Sequence, residues 1–387
     1  MISNAHKSDH PLTDTATTPP QRILMATARY FPLMGGTETH VYEVARRMAA
    51  AGHSVTVLTT DLTGKLPARE TAAGVEVIRV KAWPADRDFY FAPQVYQVIG
   101  QRRWDVIHCQ GYHTLVAPLA MFAALRAHTP YVLTFHSGGH SSAARNSMRG
   151  TQRRILRPLL VRANRLIGVS HFEADFFSEN LHIPRSRFVV VPNGSNLPKI
   201  DVIPVRHEDA PLIVSVGRLE AYKRHQDAIT AFPHVLKAFP GARLRIAGGG
   251  PYESTLRDLV STLGLTEKVE IAGIPATDRE GMARLMSEAA LVTLLSEYEA
   301  HPVSVMEALS LRRPVLVADT SGLRELAERG LVRSIPMDSS PEIVGAAIVH
   351  NLRDPLLPPA IALPTWDDCA ANLLAVYAEV VGQRASV

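Results

Sequence analysis

"RILMATARYFPLMGGTETHVYEVARRMAAAGHSVTVLTTD", residues 22–61, contains one full turn of an alternating architecture. RILMATARY starts a buried strand, FPLMGGTET is a loop, HVYEVARRMAAAGH carries apolar residues at helical spacing, and SVTVLTTD is a second strand. The same alternation continues through VEVIRV, WDVIHCQ, TLVAPLAMFAALRAH, YVLTFHS, RLIGVS and FVVVPNG. Strand, helix, strand in repeated order predicts a parallel sheet covered on both faces. After the polar, proline-bearing NLPKIDVIPVRHEDAP the pattern restarts with LIVSVGRL, ARLRIAGGG, VEIAG, LVTLLSE and PVLVAD. At 387 residues the chain suits two cores better than one. The expected fold is therefore α/β, with two doubly wound domains: 21–200 and 201–363. Residues 364–387, with Trp366, Leu373, Leu374 and Tyr377 at helical spacing, form a closing helix.

Composition narrows the classes of function. The chain is 46% hydrophobic and 20% charged, and no apolar run approaches the roughly 18 to 20 residues that span a bilayer. Residues 1–20 are polar, lack an apolar signal core and end in Pro19-Pro20, so they are expected to be a disordered lead-in rather than an export signal. Cys109 and Cys369 are far apart, without any CxxC, which points to buried free thiols and a reducing, cytosolic setting. The formal charge of +4 conceals an asymmetry: residues 21–200 carry 22 basic and 11 acidic residues, and residues 211–363 carry 16 and 18. The two halves are expected to meet different partners.

Ligands of doubly wound sheets bind beyond the carboxyl ends of the strands. Gly35, Gly36 and Thr37 lie between a strand and a helix, where open backbone N–H groups and a helix N-terminus suit a phosphate, although a glycine pair also serves a tight turn. Arg218 and Lys223 follow a strand end, where two cations would neutralise a diphosphate, although exposed basic loops are common. RIAGGGPYESTLRDL ends another strand with Gly248, Gly249 and Gly250, with Pro251 expected to open a helix. It has neither GxGxxG spacing nor the Lys-Ser/Thr of a P-loop. In SEYEAHPVSVMEALSLRRPVLVAD, residues 296–319, Glu299 lies on a strand-exit loop and Glu307 on the expected first turn of a helix starting near Val303 or Ser304. Two acids able to grip hydroxyls, downstream of two cations able to grip phosphates, would fit a nucleotide-linked sugar.

EAHPVSVMEALSLRRPVLVAD resembles the E-x7-E motif of retaining GT-B glycosyltransferases of glycosyltransferase family 4. GGTETHVYEVARRMAAAGHSVTVLT, TFHS, VVVPNG, VGRLEAYKRHQDAI and AGGGPYESTLRDLVSTLGLTEKVEIAG are similar to that family's other landmarks, in the same order, over roughly residues 22–380. The resemblance implies a GT-B fold, two Rossmann-like domains facing a central cleft. An acceptor would bind to the first, a nucleotide sugar to the second, and the last helix would cross back to the first. It also implies roles: Arg218 and Lys223 on the donor diphosphate, Glu307 on the ribose, and Glu299 on the sugar hydroxyls. His136 would lie beside the transferred sugar, Gly36 in the loop closing over the phosphates, and the segment around Ile271 and Gly273 near the base. Pro302 stands where a Gly often does, removing an N–H that could reach the sugar, and Gly249 replaces a usual Asp.

The mechanism implied is a front-face displacement in which the leaving phosphate oxygen takes the acceptor's proton. No DxD-type triplet of the sequence is read as a metal motif, and no obligatory metal or other cofactor is expected beyond the nucleotide-sugar co-substrate. UDP-hexose is the default donor, with GDP-mannose open; the acceptor is a glycan, glycolipid or small molecule. A nucleotide-sugar epimerase or hydrolase on the same fold, or a non-catalytic binding scaffold, remain alternatives. Between Asp105 and Glu173 there is no acidic residue, and Arg145, Arg149, Arg153, Arg154, Arg157, Arg162 and Arg165 crowd together with Ile155, Leu156 and Leu159. Such a segment is either a solvated arginine face, a contact for an anionic acceptor, or a peripheral contact with an anionic membrane from the cytoplasmic side. No recognition module accompanies the charge, so nucleic acid is not an expected partner.

Overall fold

The computed structural model describes residues 19–33, 35–84, 91–136, 143–195, 197, 209–275, 278–359 and 363–385, with the side chains of 143–149 and 384–385 excepted. The expected lead-in up to residue 18 and the expected boundary at 200/201 lie outside the described residues.

Among the described residues the first sheet has eight strands: β1 (Arg22–Thr27), β2 (Ser54–Asp61), β3 (Arg69–Ala72), β4 (Val75–Lys81), β5 (Val106–Gln110), β6 (Tyr131–Thr134), β7 (Arg165–Gly168) and β8 (Phe188–Val190). Their order is β3-β4-β2-β1-β5-β6-β7-β8. All neighbours are parallel except β3, which pairs antiparallel with β4 at one edge. The expected parallel sheet thus carries one antiparallel edge strand. The helices that connect it are α1 (Gly36–Ala50), α2 (Gln94–Gly100), α3 (Val116–Arg126), α4 (Ala143–Leu160) and α5 (His171–Leu181).

β1 shows why the sheet needs cover on both faces. Ile23 and Met25 point into a core built with Val41, Val44 and Met48 of α1. Leu24 and Ala26 point into a second core with Val95, Val116, Leu156 and Phe177 from α2 to α5. Alternate side chains of a strand face opposite ways, so a wholly apolar strand is stable only between two helical layers.

The second sheet repeats the plan with β9 (Leu212–Val216), β10 (Arg243–Ala247), β11 (Val269–Ile271), β12 (Leu291–Leu294), β13 (Val315–Ala318) and β14 (Arg333–Ile335). All are parallel in the order β11-β10-β9-β12-β13-β14. Its helices are α6 (His225–Ala238), α7 (Glu253–Thr262), α8 (Arg279–Glu288), α9 (Val303–Ser310), α10 (Ser321–Glu328) and α11 (Pro341–Arg353). Ile213 packs with α6, α7 and α11 on one face, and Val214 with α8, α9 and α10 on the other.

The chain closes with α12 (Trp366–Ala385), which lies on the first sheet rather than the second. Trp366, Leu373 and Tyr377 are fully buried against Ile23, Val41 and Val106. Tyr377 hydrogen-bonds His108 Nδ1 in the middle of β5. Backbone at Gly194 touches the start of this helix so closely that a Cβ there would sit 2.3 Å from the Trp366 nitrogen. Cys109 and Cys369 are buried free thiols, and burial pushes that of Cys369 up to about 12.

Candidate active site in the cleft

The carboxyl ends of β1, β5, β6 and β7 face those of β9, β10 and β12 across a cavity of about 1160 Å³. Gly35, Gly36, Thr37, Gln110 and His136 line it from the first sheet. Arg218, Lys223, Gly249, Glu299, Val303, Ser304 and Glu307 line it from the second.

On the second wall each acid is already matched by a cation. Lys223 ends a 3-10 turn after β9, and its ammonium pairs with Glu299, the two side chains being 15% and 12% exposed. Burial, the largest single influence, pulls the Lys223 ammonium down, but Glu299 together with Tyr222 and Glu220 outweighs it and the net shift is up. The Arg218 guanidinium meets Glu220 at 2.8 Å. Glu299 is tied in place through its backbone, whose N–H donates to Ser321 Oγ at 2.8 Å and whose carbonyl accepts from Gly322.

α9 starts at Val303 with Pro302 as its N-cap, so Glu307 is the fifth residue, just past the first turn where it was expected. The dipole acts mainly within that first turn and is a small influence on it. Glu307 is instead 3% exposed, and burial raises its carboxyl, with the Arg279 guanidinium at the start of α8 pulling it back down. Asp278 caps α8 by accepting from the Gly281 N–H at 2.7 Å, which fixes the turn that presents Arg279.

Two glycines make the loops of this wall interlock. A Cβ on Gly248 would lie 1.9 Å from the Gly217 carbonyl oxygen, and one on Gly250 2.5 Å from that of Leu219. Gly249 between them has open space and lines the cavity. α7 begins at Glu253, so Pro251 belongs to the preceding turn rather than opening the helix. Ile271 is packed in the core, and neither it nor Gly273 lines the cavity; the same segment reaches it at Ile274 and Pro275.

The first wall is built around a helix start and a histidine group. Gly35 is the N-cap of α1, without a side-chain cap. A Cβ on Gly35 would meet the Glu38 carboxylate at 2.4 Å. Burial raises that carboxyl, while its own backbone N–H, Arg29 and Arg218 oppose the shift. His136 follows β6 with φ at 45°, in the left-handed region, and its Nε2 lies 2.6 Å from Gln110 Oε1. The His40 ring stands 4.6 Å away, edge-on. His40 Nδ1 lies 2.8 Å from Asn193 Oδ1, and the Asn193 amide donates to the His301 carbonyl at 3.3 Å, joining the two walls. Burial holds His136 well below its ordinary range and brings His40 and His301 to about 4, so all three are neutral at pH 7.

A cleft between two doubly wound sheets, with cations and acids on one wall and a glycine-started helix on the other, can hold an anionic, hydroxyl-rich ligand. Comparison with known proteins agrees with that chemistry. The Glycosyltransferase Family 4 description matches residues 34–198, and Glycosyl transferases group 1 matches residues 198–355. The chain belongs to the group 1 glycosyltransferases. The glycogen synthase of Mycobacterium tuberculosis strain H37Rv is 27% identical to it over 86% of each chain. Sucrose-phosphate synthase from Thermosynechococcus elongatus superposes with a TM-score of 0.74 at 19% identity, over 94% of this chain and all of the other. HepE of Anabaena, in complex with UDP and glucose, superposes at 0.66 with 18% identity, over 95% and 98%. These likenesses establish the GT-B fold.

In this glycosyltransferase Arg145 to Arg157 of the arginine-rich segment lie on one continuous helix, α4, which runs through Gly150 and Pro158, while Arg162 follows it and Arg165 opens β7. Arg145 and Arg149 have side chains outside the described residues. Arg157 donates to the Leu181 carbonyl at 2.8 Å, Arg153 lies over the Phe176 ring, and Arg165 pairs with Glu379 of α12. Much of the segment therefore holds the first domain together. Gln152, Ile155 and Leu156 of the same helix line the cleft. Among the described residues no group of three metal-ligating side chains occurs, and no helix is long and apolar enough to cross a membrane.

Sequence reasoning missed Glu38, His40, Gln110, Asn193 and Arg279. Glu38 and His40 stand directly after the singled-out Gly35-Gly36-Thr37, and Asn193 stands in the strand-end VVVPNG, so their positions carried a signal. Gln110 and Arg279 carried none.

Proposed function

We propose that this glycosyltransferase moves a hexosyl group from a nucleoside diphosphate sugar, with UDP-hexose favoured over GDP-mannose, to an acceptor hydroxyl with retention at the anomeric carbon. The observation that carries the reading is the pairing of Lys223 with Glu299 and of Arg279 with Glu307 on one wall of the cleft. Cations for phosphate oxygens and acids for hydroxyls stand within reach of a single ligand. The domain spanning 201–363 takes the donor: Arg218 and Lys223 hold the diphosphate, Glu307 the ribose, Glu299 the sugar, and the Ile274 segment the base. The domain spanning 21–200 takes the acceptor, with 364–387 as a brace across it.

In the proposed step the acceptor oxygen forms the new bond to the anomeric carbon as the bond to the phosphate oxygen breaks. The departing phosphate takes the acceptor's proton on the same face. The protein's share is electrostatic. Arg218, Lys223 and the N–H groups of Gly35 to Thr37 meet the charge growing on the diphosphate in a site closed to water. His136 borders the transferred sugar. Charge met in this way calls for no obligatory metal. The acceptor is a glycan, glycolipid or small molecule. The exposed Arg154 and Ile155 of α4 suit a protein that works at the cytoplasmic face of a membrane, contacting anionic lipid peripherally.

The test is nucleoside diphosphate release, UDP from UDP-glucose and other UDP-sugars and GDP from GDP-sugars, with EDTA present, with and without a panel of hydroxyl acceptors, followed by NMR of the product's anomeric configuration. Acceptor-dependent release and an axial product support the reading. Equal release without any acceptor supports hydrolysis, and an inverted product removes the front-face step.

A further inference from the structure

Gln110, at the carboxyl end of β5, is 3% exposed, lines the cavity and has two different ends. Its Oε1 lies 2.6 Å from His136 Nε2. Its Nε2 is buried and, among the described residues, has no hydrogen-bond partner. A buried amide N–H left unmatched is destabilising, a cost that disappears when a ligand oxygen arrives. His136 is itself an unusual residue, holding a left-handed φ of 45° that non-glycine residues rarely adopt. Its ring is held on one side by Gln110 and on another by the edge of His40.

We propose that Gln110 is a positioning residue for His136 and a binding residue for the acceptor. Its carbonyl oxygen fixes the imidazole as the Nε2–H tautomer, and its amide nitrogen donates to an oxygen of the incoming hydroxyl compound. An amide oxygen can only accept, so the ring nitrogen facing it carries the hydrogen. The lone pair of His136 is then confined to Nδ1, where it accepts a hydrogen bond from a sugar or acceptor hydroxyl. The two ends of one amide thereby tie the ring's state to acceptor recognition. Neutral imidazole is required for this, and burial supplies it by holding His136 well below its ordinary range.

The assignment of Gln110 to acceptor recognition rests on the transferase reading above; the tautomer does not. The test uses 15N-histidine-labelled full chain, free of ligand, with the His136 signals identified by their loss in a His136→Gln variant. The expected result is a protonated Nε2 and an unprotonated Nδ1. Gln110→Leu should let the ring populate the Nδ1–H form and lower kcat. Gln110→Glu keeps an acceptor for Nε2–H but loses the donor, so it should keep Nε2 protonated while raising the acceptor KM roughly tenfold. UDP affinity by calorimetry should stay unchanged in both. A wild-type ring protonated at Nδ1, or a ring state untouched by Gln110→Leu, overturns the positioning role. An acceptor KM unmoved in Gln110→Glu overturns the binding role. If UDP fails to bind the wild type, the donor reading falls while the tautomer result stands.

Discussion

Replacing Lys223 with Met separates the two tasks that this side chain performs. In the free protein Lys223 neutralises Glu299, and both side chains are mostly buried at 15% and 12% exposure. Removing one member of a buried pair leaves a charge without compensation, at a cost of about 3–5 kcal/mol. The residual exposure of Glu299 places the expected loss at the lower end, about 3 kcal/mol. Lys223→Met/Glu299→Gln removes the stranded charge and should recover most of that stability. Activity should behave differently, because the proposed reaction needs a cation facing the leaving diphosphate. Losing it should cost about 2–4 kcal/mol of transition-state stabilisation, in the range found for lost oxyanion donors. The double variant should remain as inactive as the single one. The assays are urea unfolding followed by fluorescence, and UDP release under kcat/KM conditions. Turnover within tenfold of wild type in Lys223→Met would refute the catalytic argument. A stability loss in the double variant equal to that in the single would refute the stranded-charge argument.

Other consequences follow from burial and close packing. Arg279→Ala strands the Glu307 carboxylate in the same way and should lower stability by about 3 kcal/mol at neutral pH. Burial already raises this carboxyl in the wild type, and a protonated group needs no partner, so the deficit should shrink as pH falls; urea midpoints at pH 7.5 and 5 show whether it does. His40, His225 and His301 have folded values of about 4, lowered by burial. The unfolded chain takes up protons near pH 6.5 while the folded one does not, so this stability is intact above that value and lost as pH falls toward 4. At pH 5 the loss is about 2 kcal/mol per histidine, and an unfolding midpoint unchanged between pH 7 and 5 would contradict it. Gly194→Ala places a Cβ 2.3 Å from the Trp366 nitrogen and should loosen α12 at a cost of at least about 2 kcal/mol. Hydrogen exchange over residues 366–380 should report that loosening directly.

The sequence carried the strands whose apolar runs are buried on both faces, because a run such as VIHC or LVTL is hard to place anywhere else. It did not carry β3 and β14. RETA is a polar edge strand held by pairing with β4, and RSI is three residues at the opposite sheet's margin, so neither has an apolar signature. α4 runs through Gly150 and Pro158 because Leu156 and Leu160 are buried against the first sheet, and that packing outweighs local propensity. At the cleft, Gly35, Arg218, Lys223 and Glu299 were legible because each follows a strand end. Arg279 and Gln110 were not, since what matters in each is a partner well away along the chain. Arg279 finds Glu307 and Gln110 finds His136 only once the sheets have formed. For Glu307 the residue was legible and its environment was not. The helix dipole suggested by sequence is a smaller influence than burial and the Arg279 pair.

The central claim is that the wall formed by Arg218, Lys223, Glu299 and Glu307 binds a nucleoside diphosphate sugar. Calorimetric titration of UDP, GDP and their common sugar conjugates into wild type and into Lys223→Ala/Glu307→Ala tests it most directly. The account predicts saturable one-site binding of one nucleotide family to wild type and at least a hundredfold weaker binding to the double variant, about 3 kcal/mol for the loss of a phosphate cation and a ribose acceptor together. Binding of equal strength to both proteins, or no binding of any nucleotide to a folded wild type, would contradict it.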